Sequence, residues 1–214
     1  MPETTTDGLP EGMLVRQDES PDALFYREPR FVTHIDDATI AALSAYYDEV
    51  LGDDDRVLDL MSSWISHLPS TRRFSAVSGL GMNDAELAKN PVLKDYVVQD
   101  LNQNPKLPYA TASYDAVLIA VSVQYLNQPF AVFAEIGRIL APGGRCIVAM
   151  SHRLFPTKAI HAFHVLAPGE RQQLVGAYMA SSSAFEPTQA LDRSPPAGDP
   201  LWLVEGIRAD DRAD

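Results

Sequence analysis

Hydrophobic and polar positions alternate along the middle of this chain with two different periods, and the switches between them set the predicted elements. In "HIDDATIAALSAYYDEVLG", Ile40, Leu43, Tyr47, Val50 and Leu51 recur at helical spacing. Asp36 or Asp37 can cap that helix and Gly52 can close it. Short apolar runs follow at "RVLDL", "FSAVSGL", "YVVQD", "YDAVLIAVS" and "RCIVAM", and each reads as a strand. Between them the pattern predicts helices. "SSWISHL" is short and stops near Pro69. "NDAELAKN" opens on Asn83 with Glu86 three residues on, a capping-box spacing. "PFAVFAEIGRILAPGG" buries Phe130, Phe133, Ile136 and Ile139 or Leu140 and breaks at Pro142.

Strands alternating with helices require a parallel sheet covered on both faces, with ligand loops beyond the carboxyl ends of its strands. The loops of interest therefore follow Leu60, Gly79, Asp100, Ser122 and Met150. After Ser151 the pattern changes. "FPTKAIHAFHVL" and "GERQQLVGAYMASS" read as helices, and "FEPTQALD" and "LWLVEGIR" as two strands joined by "RSPPAGDP". So short a connection predicts an antiparallel hairpin at the sheet edge. The expected fold class is α/β: a Rossmann-like, doubly wound, mostly parallel seven-stranded sheet with a C-terminal antiparallel hairpin.

Composition narrows the function classes. The chain has 214 residues and 46% hydrophobic positions, enough for one substantial core. Its net charge of -12 argues against a nucleic-acid partner, since that binding needs clustered Lys and Arg. The single cysteine, Cys146, cannot form an internal disulfide and fits a reducing, cytoplasmic setting. No stretch approaches membrane-spanning length, and no basic-then-apolar leader is visible. Residues 1–22 and 209–214 are polar and acidic and are expected to be solvated, disordered ends. Between them, 23–208 is read as one domain, with a cap segment at 23–55, a ligand-binding core at 56–150 and a substrate-side region at 151–208.

Several motifs carry a resemblance. "VLDL", "VVQDLNQNPKLPYATASYDAVLIAVSVQYL" and "EIGRILAPGGRCIVAM" occur in this order, the last with Pro142, Gly143 and Gly144 turning into a strand. Together they resemble class I S-adenosylmethionine-dependent methyltransferases, in particular the type 11 group, strongly over residues 56–150. A subgroup carrying "S-S-W-x-S-H-L-P" and "F-P-T-K-A" is similar in its first loop, which also lacks the usual glycines.

The resemblance implies S-adenosylmethionine as cofactor and a set of contacts for it. Asp59 would orient its amino-acid end. Met61, Ser62 and Ser63 occupy the glycine loop, where amides at the start of the following helix and the serine hydroxyls can meet a carboxylate. In the opposing reading, Met61 and Trp64 plug the site. Gly81 stands where the family has an acid for the ribose. Asn83 can serve that ribose or simply cap its helix, and Met82 can wall the adenine. Asp100, Leu101 and Asn102 would meet the adenine, and Ser122 would lie beneath the methionine moiety.

For the methyl acceptor, a small molecule, two segments can wall a pocket: "FYREPRFVTHID", with Tyr26, Arg30 and His34, and "SHRLFPTKA", with His152, Arg153 and Lys158. Gln124 and Tyr125 complete the ring. His34 is the candidate general base. Arg30, Arg153 and Lys158 suit an anionic acceptor, or else pair with this protein's own carboxylates. His67 is expected to hydrogen-bond locally, and His161 with His164 lacks the carboxylate partner a metal site needs. Neither a serine-hydrolase elbow nor a P-loop is present. The expected activity is methyl transfer. The alternative is a non-catalytic methyltransferase-like binding or regulatory protein, motivated by the missing glycines and by Gly81. A nicotinamide-cofactor reading has the same missing fingerprint against it, and the terminal hairpin besides.

Overall fold

A computed structural model describes residues 8–210, and the outermost ends of both expected tails lie outside these residues. Within them the elements are α1 (Asp22–Phe25), α2 (Asp37–Val50), β1 (Arg56–Ser62), β2 (Ala76–Gly81), α3 (Asp84–Leu87), β3 (Asp95–Val98), β4 (Tyr114–Ala120), α4 (Pro129–Ile139), β5 (Leu140–Met150), α5 (Ala162–Val165), α6 (Pro168–Ser181), β6 (Gln189–Asp192) and β7 (Trp202–Ile207). The seven strands form one sheet in the order β3-β2-β1-β4-β5-β7-β6. β1 to β5 pair in parallel, and β7 pairs antiparallel with both β5 and β6. The order turns back at β1 and β4, so a crevice opens above their carboxyl ends.

Burial on both faces explains the continuous apolar runs. On β4, Val117 and Ile119 belong to one core and Ala116 and Leu118 to the other; on β5, Cys146 and Val148 oppose Ile147 and Ala149. The first core is closed by Phe133 and Ile136 of α4 and by Val175 and Tyr178 of α6. The second is closed by Leu43, Tyr46 and Tyr47 of α2, whose Asp36 cap accepts from the Thr39 amide at 2.9 Å. Its C-terminus ends in extended backbone at Leu51 rather than on a left-handed Gly52.

Three sequence expectations change. First, "SSWISHL" forms no helix. Met61 and His67 hold left-handed backbone, with φ of 60° and 53°. The Asn90 side chain donates instead to the Ser63 carbonyl (2.9 Å) and to the Ser66 hydroxyl (2.8 Å). Second, "FPTKAIHAFHVL" contributes only the four-residue α5, because Lys158 is drawn into the interior. Third, residues 8–22 are not a solvated end. Met13 and Leu14 pack on the core, Arg16 bridges to Ile160, and Asp22 is buried. Ala209 likewise is tied down, donating to Ala184 at 2.9 Å.

The N-terminal segment is fastened by charge. The Lys158 ammonium, with no exposed surface, lies 3.1 Å from both Asp18 and Asp22 and donates to the Ser20 carbonyl at 2.7 Å. Arg16 Nη1 lies 2.8 Å from Asp22. Burial pushes the Asp22 carboxyl up, but donation from Asn102, Arg16 and Lys158 outweighs it, and the net direction is down.

Candidate active site

The chain segments leaving β1, β2, β3, β4 and β5, covered by the segment from Asp22 to His34, enclose a cleft of about 1140 Å³ counting its open mouth. All eleven residues expected to hold a cofactor line it: Asp59, Met61, Ser62, Ser63, Gly81, Met82, Asn83, Asp100, Leu101, Asn102 and Ser122. Tyr26, Arg30, His34 and Tyr125 line it as well. Gln124, His152, Arg153 and Lys158 do not. Gln124 is buried and donates to the Val121 carbonyl at 2.9 Å. His152 and Arg153 turn to Asp199, at 3.3 and 3.0 Å.

Asp59 sits at the floor, 4% exposed, where β1 feeds the loop. Burial raises its pKa to about 6, and donation from the Ser62 and Ser66 hydroxyls only moderates the rise. The loop differs from the expected helix start. Ser62 donates to Asp59 at 2.5 Å and Ser63 to Glu86 at 2.6 Å, so both hydroxyl protons are spent within the chain. The amides of Trp64, Ile65, Ser66 and His67 donate to no backbone carbonyl among the described residues. Trp64 does not plug the cleft: its indole turns outward and donates to the Val32 carbonyl at 3.0 Å, pinning the covering segment. Met61 does line the cleft, in the left-handed conformation that glycine adopts without cost.

Gly81 has a steric explanation. A Cβ there would lie 2.3 Å from the Ser62 carbonyl oxygen, because β1 and β2 converge at this register. The position excludes any side chain, an acid included. Asn83 is committed to bonds within the chain. It accepts from the Glu86 amide at 3.1 Å and donates to the Tyr26 and Arg27 carbonyls, at 2.8 and 3.1 Å. Asn102 is similarly committed, to Asp22 and to the Tyr125 carbonyl, at 2.8 and 2.9 Å. Asp100 spends one oxygen on the Asn102 amide at 2.9 Å and keeps the other.

Sequence reasoning passed over Asp22, Glu86, His67 and Phe155 as lining residues. Only Glu86 had a signal, the capping-box spacing, and its carboxylate turns instead to Ser63 and to the Arg30 amide (2.7 Å). Burial lowers the pKa of His67 to about 4, the nearby His34 adding to the effect, and its Nδ1 has no hydrogen-bond partner, against the expected local bond. His34 stands at the rim, its ring 5.4 Å from that of Phe155, and burial against its neighbours pushes its pKa down. Both imidazoles are neutral at neutral pH.

Two further features mark the cleft. Met61, His67 and Val121 are three of the six non-glycine residues with left-handed backbone among the described residues, and all three line it. A β-branched residue such as Val121 adopts that conformation only under constraint. Buried polar atoms without partners also gather here: Arg30 Nη1, His67 Nδ1 and Ser122 Oγ. Such atoms are ready for a ligand, since leaving them unpaired is costly.

Comparison with known proteins bears on the fold. Residues 69–148 match the family model described as "Methyltransferase domain". The fold superposes on a chain of the structure described as "Complex between the Haloferax volcanii Trm112 methyltransferase activator and the putative methyltransferase". That match has a TM-score of 0.62 at 15% identity and covers 83% of this chain and 92% of the other. The fold is a Rossmann-like one shared with solved methyltransferases. The same fold is found in Haemonchus contortus phosphoethanolamine N-methyltransferase 2 in complex with S-adenosyl-L-methionine, with a TM-score of 0.57 at 13% identity over 80% of this chain and 52% of the other. Malonyl-[acyl-carrier protein] O-methyltransferase of Hahella chejuensis is 33% identical over 102 residues, or 44% of this chain. The match spans 36% of that relative's length. No helix among the described residues is long and apolar enough to cross a membrane, and no group of His, Cys, Asp and Glu among them is arranged to hold a metal.

Proposed function

We propose that this chain is an S-adenosylmethionine-dependent methyltransferase acting on a small-molecule acceptor. One observation carries the reading: residues far apart in sequence, chosen as cofactor contacts, meet in one strained, partly unpartnered cleft at the switch point of the sheet. The lining suits a cationic ligand, because Asp22, Asp59, Glu86 and Asp100 face it against the single arginine Arg30. Asp59 and the free amides of the 64–67 loop would hold the amino-acid end. Asp100 and Leu101 would hold the adenine, and the unpartnered Ser122 hydroxyl would serve the methionine moiety. Asn83 and Asn102 act one step back, by fixing the covering segment. When bound, the cofactor supplies a methyl group on a sulfonium. Positioning provides much of the rate, and neutral His34 takes the proton of an acceptor that must lose one. A cytoplasmic setting belongs to the same reading and rests on the single, buried cysteine.

Calorimetric titration with S-adenosylmethionine and S-adenosylhomocysteine tests the proposal. Micromolar binding is expected, and no binding to demonstrably folded protein would sink it. A non-catalytic binding role is favoured by one feature, the commitment of Ser62, Ser63 and Asn83 to internal bonds. Binding without methyl transfer across thiol, carboxylate and phenol acceptors would select that second reading.

A further inference from the structure

We infer that Arg30 is the receptor for a carboxylate on the methyl acceptor, and that the acceptor is an apolar monocarboxylate. This rests on the cofactor reading above. It concerns recognition only and leaves open which atom is methylated.

The cations near the cleft fall into two groups. Arg153 is paired with Asp199 at 3.0 Å, and Lys158 lies between Asp18 and Asp22. Arg30 forms no ion pair among the described residues. Its guanidinium carbon lies 4.5 Å from the ring centre of Phe25, 5.4 Å from that of Phe155 and 5.8 Å from that of Tyr26. Nη2 donates to the Phe25 carbonyl at 2.9 Å, while Nη1 is buried without a partner and its residue lines the cleft.

Aromatic faces stabilise a guanidinium without using its N–H groups, which remain in the plane for a planar oxyanion. A guanidinium cannot shed its proton to escape burial, so its charge persists. Water can satisfy the Nη1 donor but cannot neutralise the charge. None of the acids lining the same cleft is paired with the Arg30 guanidinium among the described residues. Asp22 has Arg16, Lys158 and Asn102; Asp59 has Ser62; Glu86 has Ser63 and the Arg30 amide; Asp100 has the Asn102 amide.

The aromatic cradle of Arg30 is built by Phe155, on the chain leaving β5, and by Phe25 and Tyr26 of the covering segment. In the sheet order β3-β2-β1-β4-β5, the expected adenine contacts follow β2 and β3, and Asp59 lies on β1. Phe155, against which Arg30 packs, lies on the chain leaving β5 and stacks on Tyr125, beyond β4, at 5.6 Å. Val32, Ile65, Leu126 and Phe155 supply apolar wall to the cleft.

The test uses the full chain and its Arg30→Met variant, with folding checked by circular dichroism. S-adenosylhomocysteine is titrated into both. Then trans-cinnamate, octanoate and their primary amides are titrated into protein saturated with it. We expect S-adenosylhomocysteine affinity to agree within threefold. We expect at least one acid to bind wild type ten times more tightly than its amide, and to bind the variant at least thirtyfold more weakly. If Arg30→Met does not fold, Arg30→Lys, which keeps the charge and loses the fork, should weaken the acid about tenfold. The inference is overturned if neither acid binds wild type, if the amides bind equally well, or if acid affinity survives in the variant. It is also overturned if the variant loses S-adenosylhomocysteine instead, since the guanidinium would then serve the cofactor. Failure of folded wild type to bind S-adenosylhomocysteine removes the cofactor reading alone, and acid titrations without it still report on Arg30.

Discussion

The Ser62 hydroxyl donates to Asp59 at 2.5 Å across the end of β1, yet the carboxylate keeps a pKa raised to about 6. Donation from Ser62 and Ser66 does not offset near-complete burial. Folded protein therefore holds a proton that the unfolded chain, near 3.8, gives up. The stability contributed by Asp59 is complete below about pH 4 and is lost as pH rises through about 6. Asp59→Asn should accordingly leave stability unchanged at pH 4 and raise it by about 3 kcal/mol at pH 8, from roughly two pKa units at 1.36 kcal/mol each. Urea unfolding at the two pH values checks this; a variant less stable at pH 8 would refute it.

The same carboxyl predicts a proton linked to binding. An ammonium next to Asp59 favours its ionised form, so S-adenosylhomocysteine binding below pH 6 should release a proton. Affinity should rise roughly tenfold from pH 5 to pH 7. Calorimetry in buffers of different ionisation enthalpy measures the proton directly, and Asp59→Asn should abolish both effects.

Lys158 holds the N-terminal segment by a buried charge. Lys158→Met leaves Asp22 with fewer donors and should destabilise by about 3–5 kcal/mol, the range for removing one partner of a buried pair. Proteolysis near residues 8–22 should accelerate in parallel. Unchanged cleavage would show that apolar packing by Met13 and Leu14 suffices.

Gly81→Ala places a methyl group 2.3 Å from the Ser62 carbonyl oxygen. β1 and β2 must separate at the cleft, at a cost of about 1–3 kcal/mol. Ligand affinity should fall as well, because Ser62 and Asp59 shift together. Thermal unfolding and calorimetry read the two effects; a neutral result in both would show that the strand ends yield freely.

Met61→Gly relieves a left-handed backbone at the cleft but removes a side chain packed on the core. Relief of about 1 kcal/mol and loss of partial burial of similar size should nearly cancel in stability. Affinity for S-adenosylhomocysteine should rise, since the loop gains room. Weaker binding would assign Met61 a direct contact instead.

Hydrophobic periodicity in the sequence was enough to define the strands and the helices α2, α4 and α6, because an element buried on a known face must repeat at its own period. The short "RSPPAGDP" connection pointed to the direction of the last two strands, since so brief a link favours antiparallel neighbours. That Asp59 and Asp100 would line one cleft was legible for a related reason: each interrupts an apolar run near the carboxyl end of a strand. The 62–67 loop was not, because its conformation is set by Asn90 and Glu86, more than twenty residues away. Nor was the fate of the charged and amide residues. Lys158, Arg153, Asn83 and Asn102 looked as free for a ligand as Arg30. Only the folded chain shows that the first four are spent on Asp18, Asp22, Asp199 and the backbone of the covering segment. Local pattern determines which face of an element is buried. Which polar group keeps an open hydrogen bond depends on partners that only tertiary contacts bring together.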